Sequence, residues 1–594
     1  MDKMRKFNLK VLGEKPPYIF FLFVAWFILI TPLADTKIIP GHDCVFHITR
    51  FLNIAEAIKN GVFPVRMYAD DVQFWGAPVG IFYPSLFFYI PAILKLIGMP
   101  VEICYNIFIA VIFLFGIFSS WFGFSLLTKS KNIGFFCTLL YISSGYYLMD
   151  AYIRSALGEL LGLSFMPLAI ASIEILVAKS KVKVKDCVWG ILAISAVIQS
   201  HVLCSVALVL FGLFCLIVHY KNISLRLFYR ILVITIIVFL LNAHFIIPFL
   251  LFYKDVPITM DFVDGFAEQG WPSIVLFRFF LAWNFWLFVA VYFFFPKMLW
   301  GFNSKSGKVL GKSTIKDKKE FLFSKIYAKC VFVGCLFLFM ADLSFPWDMF
   351  PLLKHFFQTM QFPWRFLGIS TLCFCVPGGI CIHMLLSGKK SWTNGYLLLS
   401  VFLVCLTGLA AFIKFAPISS IPDWNMPEKK FVWKRINSVS DTDYLYNDID
   451  RQKLFVQGNR YISDGIISNY SKSGTNISFS YKTKNKSKII LPLVNYPGYI
   501  ATDNTGRAVN IEESDNHMMQ LSLIEGSGEI KIWYKGLPLF AIADYLSLFS
   551  TLGFLILICF VHKNRCWNRL VGGILICFVH KNRCWNRLVG GIII

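Results

Sequence analysis

Along most of this chain apolar residues do not alternate with polar ones. They run nearly unbroken over stretches close to the 17–25 residues that carry a helix across a bilayer. Such runs fall at 18–34, 103–127, 133–149, 160–178, 188–201, 202–218, 231–252, 279–295, 330–341, 366–386, 395–413 and 544–561, which predicts about twelve spans. The run at 330–341 is the shortest. Between 415 and 540 the pattern changes: short alternating or β-branched runs at 476–482, 488–494 and 528–534 are separated by turn-forming stretches such as SKSGTN and NTGR, as strands joined by turns are. The pattern therefore predicts a polytopic α-helical membrane protein with a β-sandwich-like domain before its last span. The expected organisation is a transmembrane domain over 1–414, a β-rich domain over 415–540, a final helix over 541–561 and a tail over 562–594.

Charge sets the expected orientation. Lys129 and Lys131, the cluster Lys179, Lys181, Lys183 and Lys185, the lysine-rich loop 297–329 and the pair Lys389 and Lys390 all fall on the side of the basic N-terminus if the apolar segment 83–98 is a surface or re-entrant element and not a span. Pro84, Pro91 and Lys95 within that segment favour this assignment. Basic loops belong to the cytoplasmic side, so both termini are expected there. The outer face then receives 35–102, 150–159, 253–278, 342–365 and 415–540, and with them Asp35, Asp43, Asp70, Asp71, Asp150, Glu159, Asp255, Asp261, Asp264 and Glu268. Residues 18–34 read as a retained first helix, being long enough to span and lacking a clear cleavage site.

Composition narrows the class further. With 57% hydrophobic residues, 15% charged and 62 Phe, the chain is a plasma-membrane protein solvated mainly by lipid. The net charge of +23 comes largely from short loops between spans, so no nucleic-acid partner is expected. The 16 Cys sit nearly all in apolar runs, where Cys behaves as a small hydrophobe; no CxxC pair occurs and 415–540 has no Cys, so no disulfide framework is expected. ILICFVHKNRCWNRLVGG occurs twice without change, at 556–573 and 574–591. Such identity indicates a recent duplication or an artefact, and the second copy carries no functional reading.

The chemistry gathers on the outer side. In 41–82, Asp43, His47 and Arg50 fall at i, i+4 and i+7, one face of a helix, followed by Arg66, Asp70 and Asp71. Asp43 reads either as a helix N-cap or as a base; His47 and Arg50 either snorkel or bind substrate. DAYIRSALGEL places Asp150, Arg154 and Glu159 at the end of an apolar run, where they are costly unless exposed or paired; an Arg154–Glu159 pair fixing helix depth is the alternative to a substrate site. QFPWRFLGIS puts Arg365 where an outer loop re-enters the membrane, either as an aromatic-belt anchor or as a cation for a lipid phosphate. His201, Asn242 and His244 read as satisfied interfacial residues. No GxxxxGK[ST], HExxH, GxSxG or Rossmann glycine pattern is present, so nucleotide chemistry is unsupported.

The ordered series GHDCVFHITRF, NGVFPVRM, WGAPVGIFYPSLFFYIPAIL, YIRSALGELLGLSFMPL, MQFPWRFLG and LPLVNYPGYIA, over roughly residues 15–560, resembles the YfhO-like bacterial membrane proteins, some of which are labelled 6-pyruvoyl-tetrahydropterin synthase-related. No histidine cluster suited to the zinc of a pterin synthase is present. The layout instead resembles the GT-C glycosyltransferases. That resemblance implies an inverting transfer of a sugar from a polyprenyl-phosphate donor to a cell-envelope polymer, a teichoic acid or wall polysaccharide, on the extracytoplasmic face. It carries the first-loop acid over to Asp43 as catalytic base, and the second-loop acid to Glu159 or Asp150. Arg154, Arg365, His47 or Arg50 would hold the departing phosphate, Glu159 or Asp70 sugar hydroxyls or the acceptor, and the aromatics of 83–89 the polyprenyl chain. Asp71 belongs to the same binding set. His42–Asp43 stands where several GT-C branches have Asp-Glu. No obligatory metal or other cofactor is expected, although Asp43 and Glu159 could hold Mg²⁺ or Mn²⁺. A transporter or flippase of lipid-linked glycan, or a non-catalytic envelope scaffold, are the competing functions.

Overall fold

The computed structural model describes residues 18–34, 38–39, 41–69, 75–180, 182–258, 266–272, 315–358, 360–387 and 444–563. The first apolar run holds helix α1 (Tyr18–Leu29), whose 12 residues fall short of the span expected over 18–34. The expected helix after Asp43 is α2 (Cys44–Lys59). The segment 83–98 folds as a 3₁₀ turn and the helix α3 (Tyr89–Leu96); at 1.5 Å per residue eight residues cannot cross a bilayer, as the lysine pattern requires. Then come α4 (Val101–Thr128), α5 (Lys131–Ile142), α6 (Gly145–Tyr152), α7 (Leu157–Ala178), α8 (Val184–Ile198), α9 (Val202–Val218) and α10 (Leu225–Asp255). The bundle continues with α11 (Ile315–Ala341), α12 (Pro351–Gln358) and α13 (Phe366–Ser387).

By length and composition, five helices of the described residues can cross a membrane: Val101–Thr128, Leu157–Ala178, Leu225–Asp255, Pro363–His383 and Pro538–Cys559. Several more apolar helices are shorter. Two expected spans, 279–295 and 395–413, lie outside the described residues, as does the second copy of the repeat. Two others differ from expectation. The run 133–149 is not one helix, because the chain breaks at Ser143 and Ser144 between α5 and α6; both hydroxyls donate to carbonyls of α5, Ser143 to Leu139 O at 2.5 Å and Ser144 to Tyr141 O at 2.6 Å. The short run 330–341 is the end of a helix of 27 residues, whose polar first half hides it from hydropathy.

Helix α7 is the axis of the bundle, packed against α4, α8 and α9. Two local features seat it. A Cβ on Gly123 would lie 2.6 Å from Pro167 O and from Leu168 N, so the backbones of α4 and α7 approach as closely as only glycine permits. Pro167 lacks an N–H and leaves the carbonyl of Leu163 without its helical donor; the Tyr141 hydroxyl donates to that carbonyl at 2.9 Å.

The β-rich expectation is met by two antiparallel sheets. The strands are β1 (Ile462–Ser463), β2 (Ile466–Ser473), β3 (Asn476–Thr483), β4 (Ser487–Val494), β5 (Tyr499–Asp503), β6 (Ala508–Val509), β7 (Ile511–Glu513), β8 (Met518–Leu523) and β9 (Gly526–Tyr534). Their order is β1-β4-β8-β7 in one sheet and β2-β3-β9-β5-β6 in the other. Alternation works as strand geometry demands: Ile477, Phe479, Tyr481, Ile530 and Ile532 of one sheet share a core with Ile489, Leu491, Leu493, Met519, Leu521 and Leu523 of the other. That core extends into the first loop through Met67, Trp75, Ile81 and Phe82. Val494 N donates to Trp75 O at 2.7 Å and Trp75 Nε1 to Gly458 O at 3.2 Å. Gly76, at φ +79°, sits where a Cβ would meet the Tyr499 hydroxyl at 2.9 Å. The last helix, α15 (Pro538–Lys563), packs on α10, and its Asp544 accepts from Arg66 Nη2 at 2.6 Å. A short helix, α14 (Arg451–Gln457), precedes the strands.

Candidate active site

The first loop and the turn between α6 and α7 are joined by backbone. His42 N donates to Ile153 O at 3.3 Å and Asp43 N to Arg154 O at 2.7 Å. Gly41 lies so close that a Cβ would fall 2.1 Å from Ser155 Oγ, so this contact tolerates no side chain. The stitch places Asp43 beside the second acidic cluster. Asp43 occupies the N-cap position of α2, yet its side chain makes no capping hydrogen bond, which removes the cap reading for the carboxylate. Burial pushes this carboxyl above the usual aspartate range; the Arg154 and Arg365 guanidiniums pull it back only in part, and Glu159 adds to the rise.

The second cluster is not the surface loop that its charges suggest. Asp150, Arg154 and Glu159 are all buried, with Asp150 fully so. Arg154 Nη1 donates to Asp150 Oδ1 and, at 2.9 Å, to Glu159 Oε2. The expected Arg154–Glu159 pair exists, but inside the protein. The Tyr146 hydroxyl donates to Glu159 Oε1 at 2.5 Å, and the Arg154 guanidinium lies 4.3 Å over the Trp364 ring. Arg365 arrives from the turn before α13, its Nε 3.6 Å from Glu159 Oε2, beyond hydrogen-bond reach. Its Nε and Nη1 are buried without a hydrogen-bond partner among the described residues, as is Asp150 Oδ2. The two turns share a backbone signature: Ser155, next to Arg154, has φ 54° and Gln361, four residues before Arg365, has φ 64°. Non-glycine residues in this left-handed region cost free energy and cluster where surrounding structure over-determines a site.

His47 and Arg50 do share one face of α2, but that face turns inward, and each is only 1% exposed. The Arg50 guanidinium lies between Tyr83 at 4.1 Å and Phe88 at 3.7 Å. Its Nη2 donates to Pro84 O at 2.6 Å and Ser85 Oγ at 3.3 Å, and its Nη1 lies 3.3 Å from His47 Nδ1. These contacts anchor the 83–88 segment; the buried Arg50 Nε has no hydrogen-bond partner among the described residues. The aromatics of 83–89 pack accordingly: Phe88 and Tyr83 on Arg50 and His47, Phe87 stacked on Phe165 at 5.4 Å. Asp70 and Asp71 lie outside the described residues.

On sequence alone His201 reads as a satisfied interfacial residue and Tyr83 only as one of the aromatics for the polyprenyl chain; both join this neighbourhood. His201, 8% exposed, stands immediately before α9 with its ring 5.5 Å from that of Tyr83, and Glu159, Arg365 and Arg154 act on it electrostatically. Tyr83 in turn fits against Gly158, where a Cβ would come 2.2 Å from its hydroxyl. The available signal was positional: α7, α9 and α13 each begin beside an isolated polar residue, Glu159, His201 and Arg365. Asn242 and His244 lie elsewhere; Asn242 bonds Gln199 and Ser195 between α8 and α10. No group of three or more His, Cys, Asp or Glu among the described residues is arranged to hold a metal ion.

No family model matches this sequence, and no curated protein matches it. Among solved structures, the chain is similar to ArnT from Cupriavidus metallidurans bound to undecaprenyl phosphate, at 16% identity and a TM-score of 0.37, over 70% of this chain and 68% of that one. It is similar to the apo oligosaccharyltransferase of Archaeoglobus fulgidus, at 12% identity and a TM-score of 0.39, over 73% and 61%. A third is the archaeal oligosaccharyltransferase AglB from Archaeoglobus fulgidus in complex with an inhibitory peptide and a dolichol-phosphate, at 10% identity and a TM-score of 0.33, over 73% and 60%. The chain thus spans 60–61% of the archaeal structures' length.

Proposed function

We propose that this protein is a membrane glycosyltransferase that moves a sugar from a polyprenyl-phosphate donor to a hydroxyl of a cell-envelope polymer on the extracytoplasmic face. One observation carries the reading: an uncapped, partly buried carboxylate at Asp43 lies in the same charge cluster as the buried, unbonded N–H groups of Arg365. A transfer from a phosphate leaving group needs both parts, a base for the nucleophile and cations for the departing oxygens. Asp43 takes the proton of the acceptor hydroxyl as its oxygen attacks the sugar C1. The C1–O bond to phosphate breaks on the opposite side, with inversion, and the bonding pair leaves on the phosphate. Arg365 stabilises that phosphate. Arg154 is held by Asp150 and Glu159, so its part is to fix the cluster's charge and geometry. Glu159 orients both arginines; the unbonded Asp150 Oδ2 suits a sugar hydroxyl. The resemblance of the layout to the GT-C glycosyltransferases implies the same class of donor.

The test is transfer itself. Protein in nanodiscs, given a labelled polyprenyl-phosphate hexose and an envelope-polymer acceptor, is expected to release polyprenyl phosphate. Asp43→Asn is expected to lose about 10²–10⁴-fold in rate with an unchanged melting profile. A folded Asp43→Asn protein with full transfer would remove the assigned base. Movement of the intact donor between leaflets with no transfer would establish the flippase reading in its place.

A further inference from the structure

The starts of three long helices lie close together: Arg365, just before α13, is 3.6 Å from Glu159 in the first turn of α7, and Cys204 in the first turn of α9, which follows His201, has its Sγ 4.0 Å from Glu159 O. A helix N-terminus presents free N–H groups and the positive end of its dipole, so their convergence favours an anion. Convergence alone defines no ligand. The side chains at the same point supply a second observation. Arg365 holds two buried N–H groups and His201 a buried Nδ1, none with a hydrogen-bond partner among the described residues, although the Arg365 Nε also sits 3.6 Å from Glu159 Oε2. Buried polar atoms are nearly always hydrogen-bonded, and leaving three in one cluster is costly unless something is meant to meet them. His201 also makes no capping bond to α9. Its ring is held from behind by Tyr83, and a Cβ on Gly162, one turn beyond Glu159, would stand 3.6 Å from His201 Cβ. The imidazole is therefore fixed in place by packing while its buried Nδ1 makes no hydrogen bond among the described residues.

We propose that His201 is a ligand-binding residue of this site, its Nδ1–H donating a hydrogen bond to a phosphoryl oxygen that Arg365 also holds. The imidazole and the guanidinium form a two-sided clamp for the phosphoryl group beside Glu159. This rests on the lipid-phosphate reading above and adds a residue to it. The same phosphoryl chemistry could be offered by a polyprenyl phosphate or by free phosphate, and the experiment separates them.

The full-length protein in nanodiscs is titrated with a short-chain polyprenyl phosphate, with the matching polyprenol and with inorganic phosphate. Wild type is expected to prefer the phosphorylated lipid to the alcohol. His201→Phe, which keeps the packing against Tyr83, is expected to weaken the phosphorylated lipid about 10-fold or more and to leave the polyprenol unchanged. His201→Asn, which retains a donor near the Nδ1 position, is expected to stay within about threefold of wild type, and His201→Gln, which moves the donor outward, is not. The Asn and Gln pair decides the matter if the Phe variant does not assemble. Equal loss for lipid phosphate and polyprenol, or no loss, overturns the role of His201 while the lipid-phosphate reading survives. A wild type that does not distinguish the two lipids overturns that reading and the clamp with it. Binding of inorganic phosphate as tight as that of the lipid phosphate would overturn the lipid as its source.

Discussion

Replacing Arg154 by Met would test whether the buried charge cluster is an integrated unit. In the native protein one guanidinium answers two carboxylates, Asp150 by a close Nη1 contact and Glu159 at 2.9 Å. The side chains of Asp150 and Glu159 are 0% and 5% exposed, so neither can be rehydrated without opening the bundle. Glu159 would keep the Tyr146 hydroxyl and the more distant Arg365. Asp150 would keep no cation in contact among the described residues. Breaking one buried ion pair typically costs about 3–5 kcal/mol, and loss of the contact over Trp364 adds about 0.5–2 kcal/mol, partly offset by the apolar Met. A destabilisation of about 4 kcal/mol is expected. Asp150→Asn, Arg154→Met and Glu159→Gln combined should recover most of it, because removing every charge leaves none stranded. The measurement is unfolding in denaturant in matched micelles, followed by tryptophan fluorescence. A single variant within about 1 kcal/mol of wild type, or a triple variant no more stable than the single, would refute the reasoning.

Two further outcomes are expected. Transfer should fall on acidification with a limb above the ordinary aspartate value of about 4, because burial raises the Asp43 carboxyl and only its anion is a base; a limb at or below that value in the pH profile of kcat/KM counts against Asp43. The sign for stability is opposite. A raised carboxyl pKa means that the folded chain binds this proton more tightly than the unfolded one, so this group favours the fold at low pH and opposes it as pH rises through the folded pKa. Gly158→Ala should destabilise by about 1–3 kcal/mol and impair donor binding, since its Cβ would displace Tyr83 and with it the His201 ring; adding Tyr83→Phe should recover part of both, and no recovery in a melting and binding comparison would place the strain elsewhere.

Hydropathy located the helices because lipid and core alike demand continuous apolar surface, and it misplaced the details that averaging erases. The break at Ser143 and Ser144 is two residues inside an apolar run, and the polar half of α11 lowers that helix below the signal of a span. The periodic face of Asp43, His47 and Arg50 was legible because α2 is one unbroken helix. What that face meets was not, since Tyr83, Pro84 and Phe88 reach Arg50 only through the fold. Asp150, Arg154 and Glu159 were legible as a cluster from their spacing, but their burial depends on Tyr146 and on Trp364 and Arg365, some two hundred residues later. His201 had no local signal at all; one imidazole at the edge of an apolar run becomes informative only beside the other two helix starts.

The docking of Trp75 on Gly458 and Val494, and of Arg66 on Asp544, has a consequence for biogenesis. These partners of the first loop are made 383 to 478 residues after it, so during synthesis that loop must wait, incomplete, until the sheets and the last helix arrive. Contacts so distant in sequence form late and leave apolar surface open meanwhile. A nascent chain halted before residue 444 would hold Asp43 and Arg154 yet lack the sheet core that Met67 and Trp75 join, leaving these two open to chaperones and proteases. Quality control could therefore read whether the whole protein has been made from the state of its first loop.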